Sequence, residues 1–200
     1  MFDLTGQVAV ITGSSRGIGR ATAECMARAG AKVVVSSRKP AACQPVADAI
    51  MANGGEAMVV PCNVSEKDQL QNLIDQTVAR FGRLDILVCN AAVNPYFGPM
   101  AKMPDEAYDK IMHSNVRSNF WLCNMAAPHM VASGGGSIII ISSIGGRQGS
   151  PTLAVYGMSK AADSSLAMSL AVEWGADGMQ AALAPNIDRA MARVLDRIGI

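Results

Sequence analysis

The sequence predicts an α/β fold: a doubly wound parallel sheet of six to seven strands with helices on both faces, in one domain over 1–200. Three observations predict it. Short apolar runs recur along the chain, and they are β-branched and continuous, the mark of strands buried on both faces of a parallel sheet. Longer stretches of helical pattern separate them, and strands alternating with helices wind into a right-handed parallel sheet. Half of the residues are hydrophobic and 16% are charged, so a chain of 200 residues can bury one large core and lies outside the composition of disorder.

The first strand is the run 8–11, and a helix over 18–29 follows, closed by Gly30. The run 33–35 is the second strand. The helix over 40–52 opens on Pro40, whose missing N–H is no loss in a first turn, and stops at Asn53-Gly54-Gly55. The run 58–60 is the third strand. Ser65-Glu66-Lys67-Asp68 reads as an N-cap with acids in the first turn, opening a helix to about Phe81. The run 86–88 is the fourth strand, 104–131 holds one or two helices, 138–141 is the fifth strand and 153–174 a further helix. Ala181-Ala182-Leu183-Ala184 is a weak sixth strand with little β-branched character.

Several function classes drop out. The net charge is +1 and no Lys/Arg cluster stands out, so no nucleic-acid partner is expected. The cysteines at 25, 43, 62, 89 and 123 are scattered singly and the only histidines are His113 and His129. That removes structural zinc, argues against a disulfide framework, and reads as reduced thiols in a cytoplasmic protein. The start of the chain has no basic, apolar leader, and the apolar runs are too short to span a bilayer, so no signal peptide and no membrane partner are expected. His113, His129 and the scattered methionines read as structural.

The first strand runs into Thr12-Gly13-Ser14-Ser15-Arg16-Gly17-Ile18-Gly19, and a helix follows. Gly13 suits a tight turn, Gly17 leaves room for a ligand, and Gly19 lets helix and sheet approach. The helix N-terminus then offers N–H groups and a positive dipole end to a pyrophosphate, in the manner of a Rossmann crossover, with Ser15, Arg16 and Ile18 in the cradle. NAD binding normally uses a carboxylate at the end of strand two. Here stands Ser36-Ser37-Arg38-Lys39, without an acid. Arg38 and Arg16 suit a 2′-phosphate, with Ser37 as a hydroxyl donor, so NADP(H) is favoured over NAD(H).

Further along, Asn90-Ala91-Ala92 follows strand four, Asn115 lies in His113-Ser114-Asn115-Val116, and Ser142-Ser143 ends strand five. Ser143 precedes Tyr156 by 13 residues, and Tyr156-Gly157-Met158-Ser159-Lys160 begins the next helix. With the glycine segment these resemble the motifs of the short-chain dehydrogenase/reductase family, TGxxxGxG, NAG, the catalytic Asn and YxxxK, over roughly residues 5–185. Ala92 replaces the usual Gly of NAG, which crowds or strains the backbone if that position needs a positive φ.

Part of the chemistry follows from the residues themselves. Tyr156 and Lys160 are four apart and share a helix face. A free phenol, with a pKa of about 10, is too weak an acid for efficient proton exchange at neutral pH, and a nearby cation favours tyrosinate. Lys160 is the candidate cation, and Ser143 suits hydrogen bonding to a substrate oxygen.

The resemblance implies more. Tyr156 is the general acid in reduction and the base in oxidation. Tyr156 and Lys160 also contact the cofactor, Lys160 by holding the nicotinamide ribose, and Asn115 anchors a water that links Lys160 to solvent. Asn63 and Val64 lie near the adenine, Asn90 ties neighbouring strands, and Ala91 and Ala92 approach the ribose. Pro185 matches the family's Pro-Gly motif after strand six, while Asn186 replaces its Gly. Tyr96, Phe97, Trp121 and the segment 145–153 are candidate substrate-pocket walls, Tyr96 and Phe97 ahead of Trp121.

Family members are usually longer. The downstream Thr that holds the nicotinamide is missing, the stretch 186–198 reads as helical, and the substrate lid and last strand are expected to be absent. The implied function is hydride transfer between NADPH and a ketone or aldehyde, or between NADP and a secondary alcohol, as in carbonyl reductases. The alternatives are a truncated, non-catalytic NADP-binding member and a 3-oxoacyl-carrier-protein reductase. Helices over 108–131 and 153–174 pair between copies in the family, so a homodimer or homotetramer is expected.

Overall fold

In the computed structural model, which describes residues 3–184, six parallel strands form one sheet in the order β3-β2-β1-β4-β5-β6. The strands are β1 (Val8–Thr12), β2 (Lys32–Ser36), β3 (Glu56–Val59), β4 (Ile86–Cys89), β5 (Gly136–Ile141) and β6 (Met179–Ala184). The helices are α1 (Gly17–Arg28), α2 (Pro40–Ala52), α3 (Lys67–Phe81), α4 (Asp105–Met112), α5 (Ser118–Ala132) and α6 (Ala154–Trp174).

Each central strand feeds two cores. Ala9, Ile11, Val33, Val35, Ile86 and Val88 pack with Ala23, Cys43, Val46 and Ile50 of α1 and α2. Their alternating neighbours Val10, Val34 and Leu87 pack with Leu70, Leu73, Leu122 and Leu170 of α3, α5 and α6. Successive strand side chains point to opposite faces, so a strand covered by helices on both sides is apolar at every position. That is why the runs at 8–11 and 33–35 are continuous.

The chain winds outward from β1 through β2 to β3, then returns to β4 on the other side of β1. This reversal leaves a crevice beyond the strand ends. The other end of β1 is pinned by Asp85, whose buried carboxylate accepts from the Val8 N–H at 2.8 Å and from the Arg83 guanidinium. Asp85→Ala orphans the Val8 donor and is expected to cost about 1–3 kcal/mol, read as a lower urea midpoint at an unchanged slope.

Several boundaries differ from the expectation. The third strand starts at Glu56, where the Glu56 carboxylate ion-pairs with Lys32 and Arg80 across the sheet edge. Ser65 does not cap α3, which starts at Lys67. Its hydroxyl pairs instead with Ser114 at 2.9 Å, while its carbonyl accepts from the His113 ring. Ala29, rather than Gly30, caps α1, and Gly30 follows at a φ of +96°. The 104–131 region divides into α4 and α5, joined by a π-helical turn, His113–Arg117, that carries Asn115.

The weak sixth strand is real and longer than expected. It pairs with β5 from Gly136 opposite Met179 to Ile141 opposite Ala184, a ladder that backbone groups supply whatever the side chains. Pro185, Asn186 and the stretch 186–198 lie outside the described residues. Cys43, Cys62, Cys89 and Cys123 are buried free thiols, and Cys25 is half-buried.

Candidate active site

The strand-end crevice opens over the ends of β1, β2 and β4. Its rim is locked by short polar links. The Ser14 hydroxyl donates to the Ile11 carbonyl at 2.7 Å and accepts from the Ser36 N–H at 2.9 Å, joining the ends of β1 and β2. The Asn90 amide donates to the Thr12 and Gly13 carbonyls at 2.8 and 3.2 Å, and the Thr12 hydroxyl accepts the N–H groups of Asn90 and Ala91. Asn90 therefore ties β4 to β1.

Gly19 sits where this knot meets α1. A Cβ there would stand 2.5 Å from the Gly13 oxygen and 2.5 Å from the Asn90 amide nitrogen, so no larger residue fits without moving the turn. α1 begins with no side-chain cap and no acid in its first turn, leaving its leading N–H groups directed at the crevice. Ala92 is unstrained, because among the described residues only glycines have a positive φ.

The crevice encloses about 580 Å³, a volume suited to a cofactor. Every residue assigned from sequence to β1–α1 and to the ends of β2, β3 and β4 lines it: Gly13, Ser15, Arg16, Gly17, Ile18 and Gly19, then Ser37 and Arg38, Asn63 and Val64, and Asn90 to Ala92. Among the described residues, the cations Arg16, Arg38, Lys39 and Lys110 line it, and no carboxylate does. None of the ion pairs among the described residues uses these four. Lys110 and Ser114 escaped the sequence reading, since α4 reaches the crevice only by folding back over it. Cys62 also lines the crevice, and burial pushes its thiol up to about 11, so it stays protonated at neutral pH.

The second group lies where β5 meets α6. Ser143 follows β5 and opens a short 3-10 turn, Ile144–Gly146, its Oγ accepting from the Gly145 N–H at 3.2 Å. The neighbouring Ser142 hydroxyl donates to the Lys160 carbonyl at 3.0 Å. The turn packs closely on α6: a Cβ on Gly157 would stand 2.5 Å from the Gly145 oxygen. These contacts bring Ser143 to the first turns of α6, which carry Tyr156 and Lys160.

The Lys160 ammonium lies 6.0 Å from the centre of the Tyr156 ring. It donates to the Ile141 carbonyl at 2.8 Å and to Asp163 Oδ2 at 3.0 Å. Asp163 Oδ1 accepts from the Asn119 amide at 2.9 Å. Burial raises the Asp163 carboxyl above its ordinary range, and Lys160 and Asn119 offset part of that rise. The sequence reading passed over both Asp163 and Asn119. The available signal was an acid three residues after Lys160 in a helix with few other charges.

Asn115 is fully buried and bridges the two groups. Its amide donates to the Val93 carbonyl at 3.0 Å and to the Ser159 hydroxyl at 3.1 Å, and its oxygen accepts from the Val93 N–H at 2.8 Å. The side chain is thus committed to Val93, which lines the crevice, and to α6. Of the candidate walls, Phe97 is strongly exposed, and the Tyr96 hydroxyl donates to the Pro99 carbonyl at 2.9 Å. Trp121, half-buried against the core, packs edge-on to His113.

Among the described residues, no helix is long and apolar enough to cross a membrane, and no cluster of His, Cys, Asp and Glu side chains is built to hold a metal ion. The family model for short chain dehydrogenase matches residues 7–188. The short-chain dehydrogenase/reductase SDRA of Arabidopsis thaliana is 38% identical over 183 residues, covering 92% of this chain and 71% of the relative. Tropinone reductase-like 3 of Erythroxylum coca is 40% identical over 168 residues, covering 84% of this chain and 64% of the relative, so the chain spans about two thirds of these proteins' length. A metagenomic short-chain oxidoreductase solved in complex with NADP superposes with a TM-score of 0.86 at 36% identity, over 90% of this chain and 81% of that one.

Proposed function

The chain belongs to the short-chain dehydrogenase family, whose members are NAD(P)-dependent oxidoreductases acting on CH–OH and C=O groups, and on that premise we propose that it transfers a hydride between NADPH and a ketone or aldehyde, or between a secondary alcohol and NADP. The observation that carries this reading is the pairing of a crevice lined, among the described residues, by cations and no carboxylate with Ser143, Tyr156 and Lys160 held at the next strand end.

When bound, the nicotinamide supplies or accepts the hydride. The turn at 13–19 holds the diphosphate on backbone N–H groups. Arg16, Arg38 and the Ser37 hydroxyl hold a 2′-phosphate. The Asn63 side-chain oxygen accepts from the Ser65 N–H at 3.3 Å, so its amide nitrogen is left to face the adenine with Val64. Ala91 and Ala92 lie against the ribose. Ser143 donates to the substrate oxygen, Tyr156 exchanges the proton with it, and Lys160 supplies the positive charge on the same helix face. The buried free thiols suit a reducing compartment, and we place the protein in the cytoplasm. A second copy would cover Phe120, Met168 and Val172, which are 52%, 65% and 86% exposed on the outer faces of α5 and α6.

Titrating the chain with NADPH and NADH, then adding a panel of ketones and following absorbance, tests the reading. Ketone-dependent oxidation of NADPH supports it; tight binding without turnover leaves a nucleotide-binding protein. Arg38→Ala is expected to weaken NADPH binding by about 10–100-fold through a lost charge-assisted contact, with NADH binding nearly unchanged. Equal losses for both cofactors would show that Arg38 does not read the 2′-phosphate.

A further inference from the structure

The Lys160 ammonium is an odd catalytic cation, because it is already partnered. Its side chain and that of Asp163 are 3% and 0% exposed, and both hydrogen bonds it makes point into the protein. A buried ion pair is a weak stabiliser compared with apolar residues of similar size, so stability alone gives no reason for a carboxylate here. Tyr156, Lys160 and Asp163 fall at i, i+4 and i+7, along one face of α6. The pair also belongs to a continuous polar chain. The Asn119 amide donates to both Asp163 and the Asn115 carbonyl, and Asn115 reaches Val93 at the crevice. We propose that Asp163 is a positioning residue for proton transfer: by holding the Lys160 ammonium against itself and the Ile141 carbonyl, it offsets that charge at Tyr156 and favours carbonyl reduction over alcohol oxidation. This rests on the oxidoreductase reading above.

The direction follows from signs. A lone cation beside a phenol stabilises tyrosinate, and a carboxylate in contact with that cation opposes the effect. At an effective dielectric of about 20, an unopposed charge about 6 Å away moves a titration by about two pH units, and a counter-ion in contact cancels much of it. The other titratable groups around the pair are the thiols of Cys89 on β4 and Cys123 on α5, 3.9 Å apart. The contact with Cys123, then burial and the charge of Asp163, hold Cys89 well above the ordinary thiol range, so it carries no competing charge near neutral pH.

The chain has only three tyrosines, at 96, 108 and 156, so a pH titration by NMR with ring-labelled tyrosine reads Tyr156 directly, with Tyr156→Phe giving the assignment. Asp163→Asn keeps an acceptor for Asn119 and removes the charge. Asp163→Ser, which is smaller and also uncharged, is the second variant should the near-isosteric first one not fold. Tyr156 is expected to titrate about one pH unit lower in either variant, while Tyr96 and Tyr108 stay in place. The pH at which alcohol oxidation reaches its plateau is expected to fall by the same amount. An unchanged or upward-moved Tyr156 titration in a folded variant overturns the proposal. NADPH binding by the wild-type chain is measured alongside. Its absence would remove the oxidoreductase reading, while the tyrosine titration would still report whether Asp163 acts on Tyr156.

Discussion

Tyr156→Phe is expected to lower turnover by about 10²–10⁴-fold, the usual worth of a positioned proton donor, while NADPH affinity changes by no more than about twofold. The residues lining the crevice come from the β1–α1 turn, the ends of β2, β3 and β4, and α4, and Tyr156 is not among them. The substitution removes one oxygen from a half-buried ring near the start of α6 and leaves the packing of the turn Ile144–Gly146 against Gly157 untouched. Single-turnover kinetics with saturating NADPH and a reactive ketone, set beside a fluorescence titration of the cofactor, separates the two quantities. Equal losses in both would mean that Tyr156 holds the cofactor rather than the proton. Undiminished turnover would remove it from the mechanism.

Lys160→Ala is expected to destabilise the fold by about 3–5 kcal/mol, the cost of leaving a buried carboxylate without its cation. Asp163 would retain only the Asn119 amide, and the Ile141 carbonyl would lose its donor. The Asp163 carboxyl is already raised by burial, and losing Lys160 raises it further. A group raised in the folded state destabilises the fold where the unfolded chain carries the charge. The deficit of the variant is therefore largest near neutral pH and shrinks as pH falls toward the ordinary carboxylate range, where both states are protonated. Urea unfolding at pH 7 and pH 4.5 reads this directly. The double variant Lys160→Met with Asp163→Leu is expected to recover most of the loss, because a well-packed apolar pair replaces two buried charges. A Lys160 variant assayed for activity alone would mix this unfolding with any change in chemistry.

The fold was legible wherever burial dictated composition. The strands at 8–11, 33–35 and 138–141 announced themselves because helices cover both sides of the sheet and leave no polar position. β6 was faint because backbone pairing with β5 places Met179 to Ala184 without asking for β-branched side chains. Ser65 looked like a helix cap in the linear sequence, and the nearness of Ser114 and His113 gave its hydroxyl and carbonyl other partners. α4 and α5 could not be divided beforehand, since the π-helical turn between them arises where Asn115 is drawn to Val93 and Ser159.

The candidate site divides along the same line. Gly13, Gly17, Gly19, Arg38, Asn90, Ser143, Tyr156 and Lys160 could be picked out in sequence because a phosphate turn, a strand end and a helix face each impose a local spacing. By itself, the sequence determined the sheet, the order of its elements and the chemical types gathered at its strand ends. Only the tertiary structure decided that Lys110 reaches the crevice, that the Asn115 amide is committed to Val93 and Ser159, and that Lys160 enters any proton chemistry already paired with Asp163. Those facts depend on which side chains meet across α4, α5 and α6, and a partner 44 residues distant, as Asp163 is from Asn119, leaves no local pattern to read.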